Sequence, residues 1–200
     1  ENSITTLLAH LHAGFPYQWR IIIVNNGSTD GTESVARTLC HRHSAVHLIS
    51  GAGRGRGRAL RHAWTSSPAD AVCYMDVDLS TGLEALAPLA EAILEAGYDT
   101  STGSRLLAGA QTDRSFRRES ISRIYNWIVR LVFRTRIKDS QCGFKAISRR
   151  TINQVLPHVK DQSWFFDTEL LILAQSMGLR VKEIPVTWRE DPDTRVKIIP

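Results

Sequence analysis

Long apolar runs are missing from this chain of 200 residues. No stretch approaches the roughly 20 apolar residues that a membrane-crossing helix needs, and the start lacks the basic, apolar and small-residue succession of a secretory leader. The chain as given therefore reads as soluble or peripheral. Cysteine is scarce: Cys40, Cys73 and Cys142 are far apart, odd in number and show neither a CxxC pair nor a metal-finger spacing. That excludes a disulfide scaffold and points to reduced thiols in a cytosolic protein. The hydrophobic content of 42% leaves no room for disorder or a collagen-like chain and suffices for one substantial core. The seven histidines are scattered over loops and helix faces and are read as structural or surface residues.

What is present is positive charge. The net charge is +5, with arginine concentrated between Arg54 and Arg61 and again between Arg114 and Arg150. An acidic partner follows, and nucleic acid, anionic lipid headgroups and phosphorylated small molecules all fit that balance.

Hydrophobic periodicity orders the chain. Ile4, Leu7, Leu8 and Leu11 recur at helical spacing before a break at Gly14 and Pro16, and 20–24 is a β-branched run typical of a buried strand. Helices over 32–41 and 58–66 alternate with strands over 46–49 and 71–75, followed by a helix over 83–94 and a strand over 98–103. Such β-α-β alternation predicts a parallel sheet flanked by helices, with ligands at the carboxyl ends of the strands. Residues 105–118 are polar and basic and read as a mobile loop. Next come Ile121, Ile124, Tyr125, Ile128, Leu131 and Val132 at helical spacing, interleaved with Arg123, Arg130 and Arg134. A short strand over 143–147, a helix over 168–176 and a strand over 180–188 complete the pattern.

Three loops at successive strand ends carry chemistry. Asp76 and Asp78 stand two residues apart where a buried strand gives way to a loop, and two carboxylates so placed suit Mg2+ or Mn2+ while leaving room for diphosphate oxygens. Taken alone, Asp-x-Asp is a common tripeptide, and a helix-capping Asp78 with a surface Asp76 fits it as well. Asn25, Asn26, Ser28, Thr29 and Asp30 can hydrogen-bond a base and ribose. Gly53-Arg54-Gly55-Arg56-Gly57-Arg58 precedes a helix, where backbone N–H groups, the helix dipole and guanidinium groups all favour bound phosphate.

In this order, the strings Asn25 to Thr32, Gly55 to Arg61 and Asp76 to Thr81 resemble the motifs of inverting family 2 glycosyltransferases of the GT-A fold. Gly103-Ser104-Arg105, Arg117 to Ser120, Asp139 to Lys145 and Phe166 to Leu170 resemble the dolichyl-phosphate glucose and mannose synthases and their bacterial polyprenyl-phosphate relatives. The string Gln141-Cys142-Gly143-Phe144-Lys145 leans towards the glucose branch. The resemblance implies an α/β, Rossmann-like GT-A domain over 1–200, with a mostly parallel central sheet, a donor- and metal-binding part over 1–104 and an acceptor-binding part over 105–200. Members of the family usually begin with a strand ending in a Pro-x-Tyr-Asn-Glu-Glu-like segment, and this chain is expected to lack that strand.

The resemblance also assigns roles. Asp76 and Asp78 are the implied catalytic and metal-holding pair, with Ser80 standing where mannose synthases commonly carry a glutamine ligand. Asn25, Asn26, Ser28, Asp30, Gly55, Arg56, Gly57, Arg61, Asp76 and Val77 would bind a nucleotide-sugar, UDP-glucose or GDP-mannose. Arg117, Arg130, Ser140 and Gln141 would bind a polyprenyl-phosphate lipid, with Arg118 and Arg134 as close alternatives and Asp167 and Glu169 ordering that side. An acceptor phosphate is largely ionised at neutral pH and needs no general base, since its second pKa is about 6. Tyr125, Trp127 and Phe133 suit either a membrane interface or a core, whereas Trp164, Phe165 and Phe166 read as packing residues. The expected location is the cytoplasmic face of a membrane. A same-fold enzyme acting on a saccharide or other hydroxyl is the alternative, and a basic nucleic-acid-binding module a more distant one without any recognisable motif.

Overall fold

The computed structural model describes residues 1–51 and 53–190; the last part of the expected acceptor segment, 191–200, lies outside the described residues. Helix α1 (Asn2–His12) buries Leu7, Leu8 and Leu11. It is followed by β1 (Ile21–Val24), α2 (Thr32–Arg42), β2 (Val46–Ile49), α3 (Arg56–Ser66) and β3 (Ala71–Met75). A 3-10 turn at Leu83–Ala85 leads into α4 (Leu86–Leu94) and then β4 (Thr100–Ser104). The second half contains β5 (Gln111–Asp113), α5 (Phe116–Phe133), β6 (Phe144–Ser148), α6 (Arg149–Gln154), α7 (Phe166–Ser176), β7 (Val181–Pro185) and β8 (Thr187–Arg189).

The central sheet has the order β3-β6-β4-β7. β4 and β7 run parallel, while β6 is antiparallel to both of its neighbours, so one reversed strand sits in an otherwise parallel sheet. Alternation along β3 divides the core into two layers. Val72 and Tyr74 join Trp64 of α3, Ile147 of β6 and Phe166 and Leu170 of α7 on one face. Ala71, Cys73 and Met75 turn to the other, against Leu86, Leu89 and Ile93 of α4, Phe144 and the buried leucines of α1. A strand buried on both faces needs apolar residues at every position, which is why Ala71–Met75 reads as a continuous run.

Three details depart from the expected pattern. β1 and β2 form a parallel ladder of their own, and among the described residues neither joins β3. The basic stretch 105–118 is not all loop: it contains β5 and the first turn of α5, held by β8 in parallel register. The final strand is two, β7 and β8, because Pro185 has no N–H to continue a ladder and the chain turns inward at the buried Val186.

Candidate active site

After Met75 the chain turns sharply, with Leu79 N–H donating to Asp76 O at 3.1 Å and Leu79 held at φ 54°. A left-handed leucine is costly and is kept where a loop must aim its neighbours. Asp76 N–H donates to Gly143 O at 3.2 Å, and a Cβ on Gly143 would stand 1.9 Å from Asp76 Oδ2. Only glycine leaves space for that carboxylate. Asp78 Oδ1 accepts from Ser80 N–H at 3.0 Å, so the recorded link to Ser80 is through its backbone, not its hydroxyl. Val77, between them, is exposed.

Asp76 and Asp78 fit a hard divalent cation. The Asp76 side chain is 53% exposed, Asp78 is exposed too, and both offer oxygen atoms from one turn. Among the described residues no cluster of three or more metal-ligating side chains forms. Two carboxylates make an open site, which ligand oxygens must complete.

The loop is tied to a buried charge network. Arg56, the first residue of α3, donates to Asp76 Oδ1 at 3.1 Å and to the Tyr74 hydroxyl at 2.9 Å, and pairs with Asp167 Oδ2 at 3.1 Å. Its guanidinium lies over the rings of Tyr74 and Trp164. Tyr74 donates to Asp167 Oδ1, and the fully buried Lys145 stands 3.4 Å from that oxygen while donating to Cys142 O. Burial pushes the Tyr74 phenol up, and the Asp167 charge adds to that. Partial desolvation raises the Asp76 carboxyl, the Arg56 charge opposes the rise and Asp78 reinforces it.

The two loops expected to bind the donor touch. Asn26 Oδ1 accepts from Gly55 N–H at 2.8 Å, and Gly27, at φ 75°, lies against the Arg54 side chain. Asn25 is buried, donates to Glu33 and accepts from Ser28 N–H, so it builds the loop rather than facing a ligand. Ser28 and Asp30 are exposed, and Asp30 Oδ1 accepts from Thr32 N–H. Gly57 is required by packing, since a Cβ there would lie 2.6 Å from the Phe166 ring. Arg61 is placed differently from the expectation: its guanidinium donates to Leu156 O and Val159 O on the far side of α3, where it holds the turn before α7.

The acceptor candidates are only partly assembled. Arg117 and Arg130 lie towards opposite ends of α5, which at about 1.5 Å per residue separates their Cα atoms by roughly 20 Å. One phosphate cannot take both. Arg118 pairs with Glu190 at 2.7 Å. Ser140 is buried, its N–H and Oγ both donating to Asn126 Oδ1, and Thr168 donates to its hydroxyl, so it locks α5 to α7. Gln141 is exposed beside it. Glu169 caps the 160–161 turn by accepting from both N–H groups. Trp164 and Phe165 are exposed, contrary to the packing role expected, whereas Phe166 is fully buried.

Sequence reasoning missed the pair that closes this side. Arg105 grips Asp139 with two prongs, Nε to Oδ2 at 2.7 Å and Nη2 to Oδ1 at 2.9 Å. Burial alone would raise the Asp139 carboxyl, but the hydrogen bonds and charge of Arg105 hold it below its ordinary range. The available signal was that both residues fall within strings that resemble the family, 103–105 and 139–145, while a lysine among apolar residues marks Lys145 in Phe144–Ser148.

The family model described as glycosyl transferase family 2 matches residues 1–156. The chain belongs to this family. Glycosyltransferase AglD of Haloferax volcanii is 36% identical over 201 residues, covering 100% of the chain and 32% of that protein. A dolichyl-phosphate beta-glucosyltransferase of Trichomonas vaginalis is 30% identical over 189 residues, covering 91% of the chain and 56% of that protein. The chain thus spans a third to just over half of these family 2 relatives. Glucosyl-3-phosphoglycerate synthase from Mycobacterium tuberculosis, in complex with Mn2+, UDP and phosphoglyceric acid, superposes with a TM-score of 0.65 at 19% identity, over 95% of the chain and 66% of that structure. This likeness bears on the fold, which is the expected α/β GT-A architecture. No helix among the described residues is long and apolar enough to cross a membrane.

Proposed function

We propose that this family 2 domain transfers glucose or mannose from UDP-glucose or GDP-mannose to a polyprenyl phosphate, inverting the anomeric carbon. The observation that carries the reading is the Asp76–Asp78 turn, two open carboxylates of which Asp76 is held by Arg56 at the basic start of α3. Names borne by the relatives, dolichyl-phosphate beta-glucosyltransferase above all, favour glucose and a lipid phosphate.

Asp76 and Asp78 would hold Mg2+ or Mn2+. When bound, the ion supplies positive charge where the nucleoside diphosphate departs. Arg56 would donate to a diphosphate oxygen from the start of α3, whose Gly57 and Arg58 N–H groups already donate to Gln162 O. Asn26 and Gly55 brace the two loops on which the nucleotide would rest. No side chain need remove a proton, because a phosphate acceptor arrives ionised.

The exposed face of α5 supports work at a membrane surface. Ile124, Trp127, Ile128, Leu131 and Val132 are exposed along it, Leu131 by 65% and Trp127 by 57%, with Arg123 and Arg130 between them. An amphipathic helix of this kind lies in the headgroup region instead of spanning the bilayer. Peripheral attachment at the cytoplasmic face is part of this proposal. Among the described residues, β1 pairs only with β2, and β3 only with β6.

Radiolabelled UDP-glucose and GDP-mannose, each offered with polyprenyl phosphate with and without Mn2+, test the reading. Metal-dependent label in the lipid phase, lost in Asp78→Ala, is expected with one donor. Label appearing only in a saccharide or protein acceptor would move the activity to the sister class.

A further inference from the structure

Arg114 follows β5 directly, and its side chain is only 3% exposed. Among the described residues, its Nε and Nη2 are buried without a hydrogen-bond partner. These two atoms form one edge of the guanidinium, the edge that grips an oxyanion with two prongs. Arg105 uses the same edge on Asp139. In Arg114 that edge is vacant. The nearest carboxylate, Glu119, lies 3.7 Å from Nε, beyond hydrogen-bond reach, and its Oε1 already accepts from Arg123. Burial and the like charge of Arg105 both work against the Arg114 cation where it stands. A buried cation left in this state destabilises the fold, and its retention calls for an anion that completes it.

The position of Arg114 indicates which anion. Asp113, just before it, stands opposite Arg189 in the β5–β8 ladder, and Arg189 N–H donates to Ser80 O at 2.8 Å, two residues beyond Asp78. Trp188 bridges to Thr81 and lies beneath Arg105. The backbone leading into Arg114 is therefore tied through β8 to the loop that carries the carboxylate turn, and its guanidinium lies near Arg105 and Glu119. The first turn of α5 next to it is capped by Ser115 Oγ, which accepts from Arg118 N–H at 3.5 Å, and is tied to Glu190 by Arg118 at 2.7 Å.

We propose that Arg114 binds two oxygens of a phosphate ester, the phosphate carried by the acceptor, which reaches it as the first turn of α5 shifts and the long Glu119 contact breaks. This rests on the polyprenyl-phosphate reading above and adds to it a residue outside the arginines that the resemblance pointed to.

The test is calorimetric titration of the full chain with farnesyl phosphate and, separately, with UDP and Mn2+, on wild type, Arg114→Met and Arg114→Lys. Arg114→Met is expected to raise Tm without ligand, to weaken farnesyl phosphate at least about tenfold, and to leave UDP–Mn2+ binding unchanged. Arg114→Lys, which keeps the charge but not the two-pronged edge, should also bind farnesyl phosphate less tightly than wild type, and it decides the matter if the methionine variant does not fold. Unchanged farnesyl phosphate affinity in the folded variants overturns the inference while leaving the acceptor reading intact. Loss of UDP–Mn2+ affinity alone overturns it too, by giving Arg114 to the donor diphosphate. A wild-type protein that binds UDP–Mn2+ but no farnesyl phosphate would sink the acceptor reading itself, and this inference with it.

Discussion

Arg56 holds Asp76 by a single oxygen, Oδ1, at 3.1 Å. Asp76 would still offer oxygen lone pairs to a cation, and the guanidinium, which Tyr74 and Asp167 also hold, would stand beside a diphosphate bound there. Removing it should cost one charge-assisted interaction with the nucleotide, about 10- to 100-fold in affinity at 1.5–3 kcal/mol. Calorimetric titration of Arg56→Gln with UDP and Mn2+ is expected to show that loss, and Asp76→Ala to show no Mn2+-dependent binding at all. Equal affinity in Arg56→Gln and wild type would mean that Arg56 serves only the buried network.

Lys145 and Asp167 are both buried; Asp167 also pairs with Arg56, but taking away its charge leaves the fully buried Lys145 ammonium uncompensated. Asp167→Asn should destabilise the fold by about 3–5 kcal/mol in urea unfolding. Adding Lys145→Met to that change is expected to restore a substantial part of the loss. Additive losses in the double variant would show that the two charges do not act as a pair.

Asp139 predicts the acid limb of stability. A carboxylate whose folded pKa is depressed stabilises the fold above its unfolded value, and that contribution disappears as pH falls through the folded one. For Asp139 the window opens below the ordinary aspartate range of about 4. Wild type should lose Tm steeply there, whereas Asp139→Asn should start lower at pH 7 and fall less. Parallel Tm curves for the two proteins across that window would rule out this source.

Trp127 gives a direct readout of α5. Binding to anionic vesicles is expected to shift its emission to the blue, with a response that weakens at high salt. Leu131→Asn should reduce the partitioning several-fold, at about 25 cal/mol for each Å² of apolar surface withheld from lipid. A spectrum indifferent to vesicles would place this face against protein instead.

Strand positions were the most legible part of the sequence: 46–49 and 71–75 are β2 and β3 to the residue, because buried β-branched and apolar runs bounded by polar loops leave little choice. The acidic turn and the Asn26–Gly55 contact were also within reach, since loops at successive strand ends must converge. Arg61 was not, because an arginine in a phosphate-loop string and one that ties down a distant turn look alike until tertiary contacts form. Ser140 misled for a similar reason, its hydroxyl being taken up by Asn126 across 14 positions. The reversal of β6 was invisible as well, since a short apolar strand carries no mark of its direction.

That reversal has a consequence for how the molecule can be divided. β6, from the second half, is inserted between β3 and β4, from the first, and delivers Gly143 to Asp76. Residues 1–104 and 105–190 are therefore not interchangeable cassettes. A chimera that grafts residues 105–190 of one homologue onto 1–104 of another must match two strand interfaces and a glycine-sized gap before it can inherit either specificity.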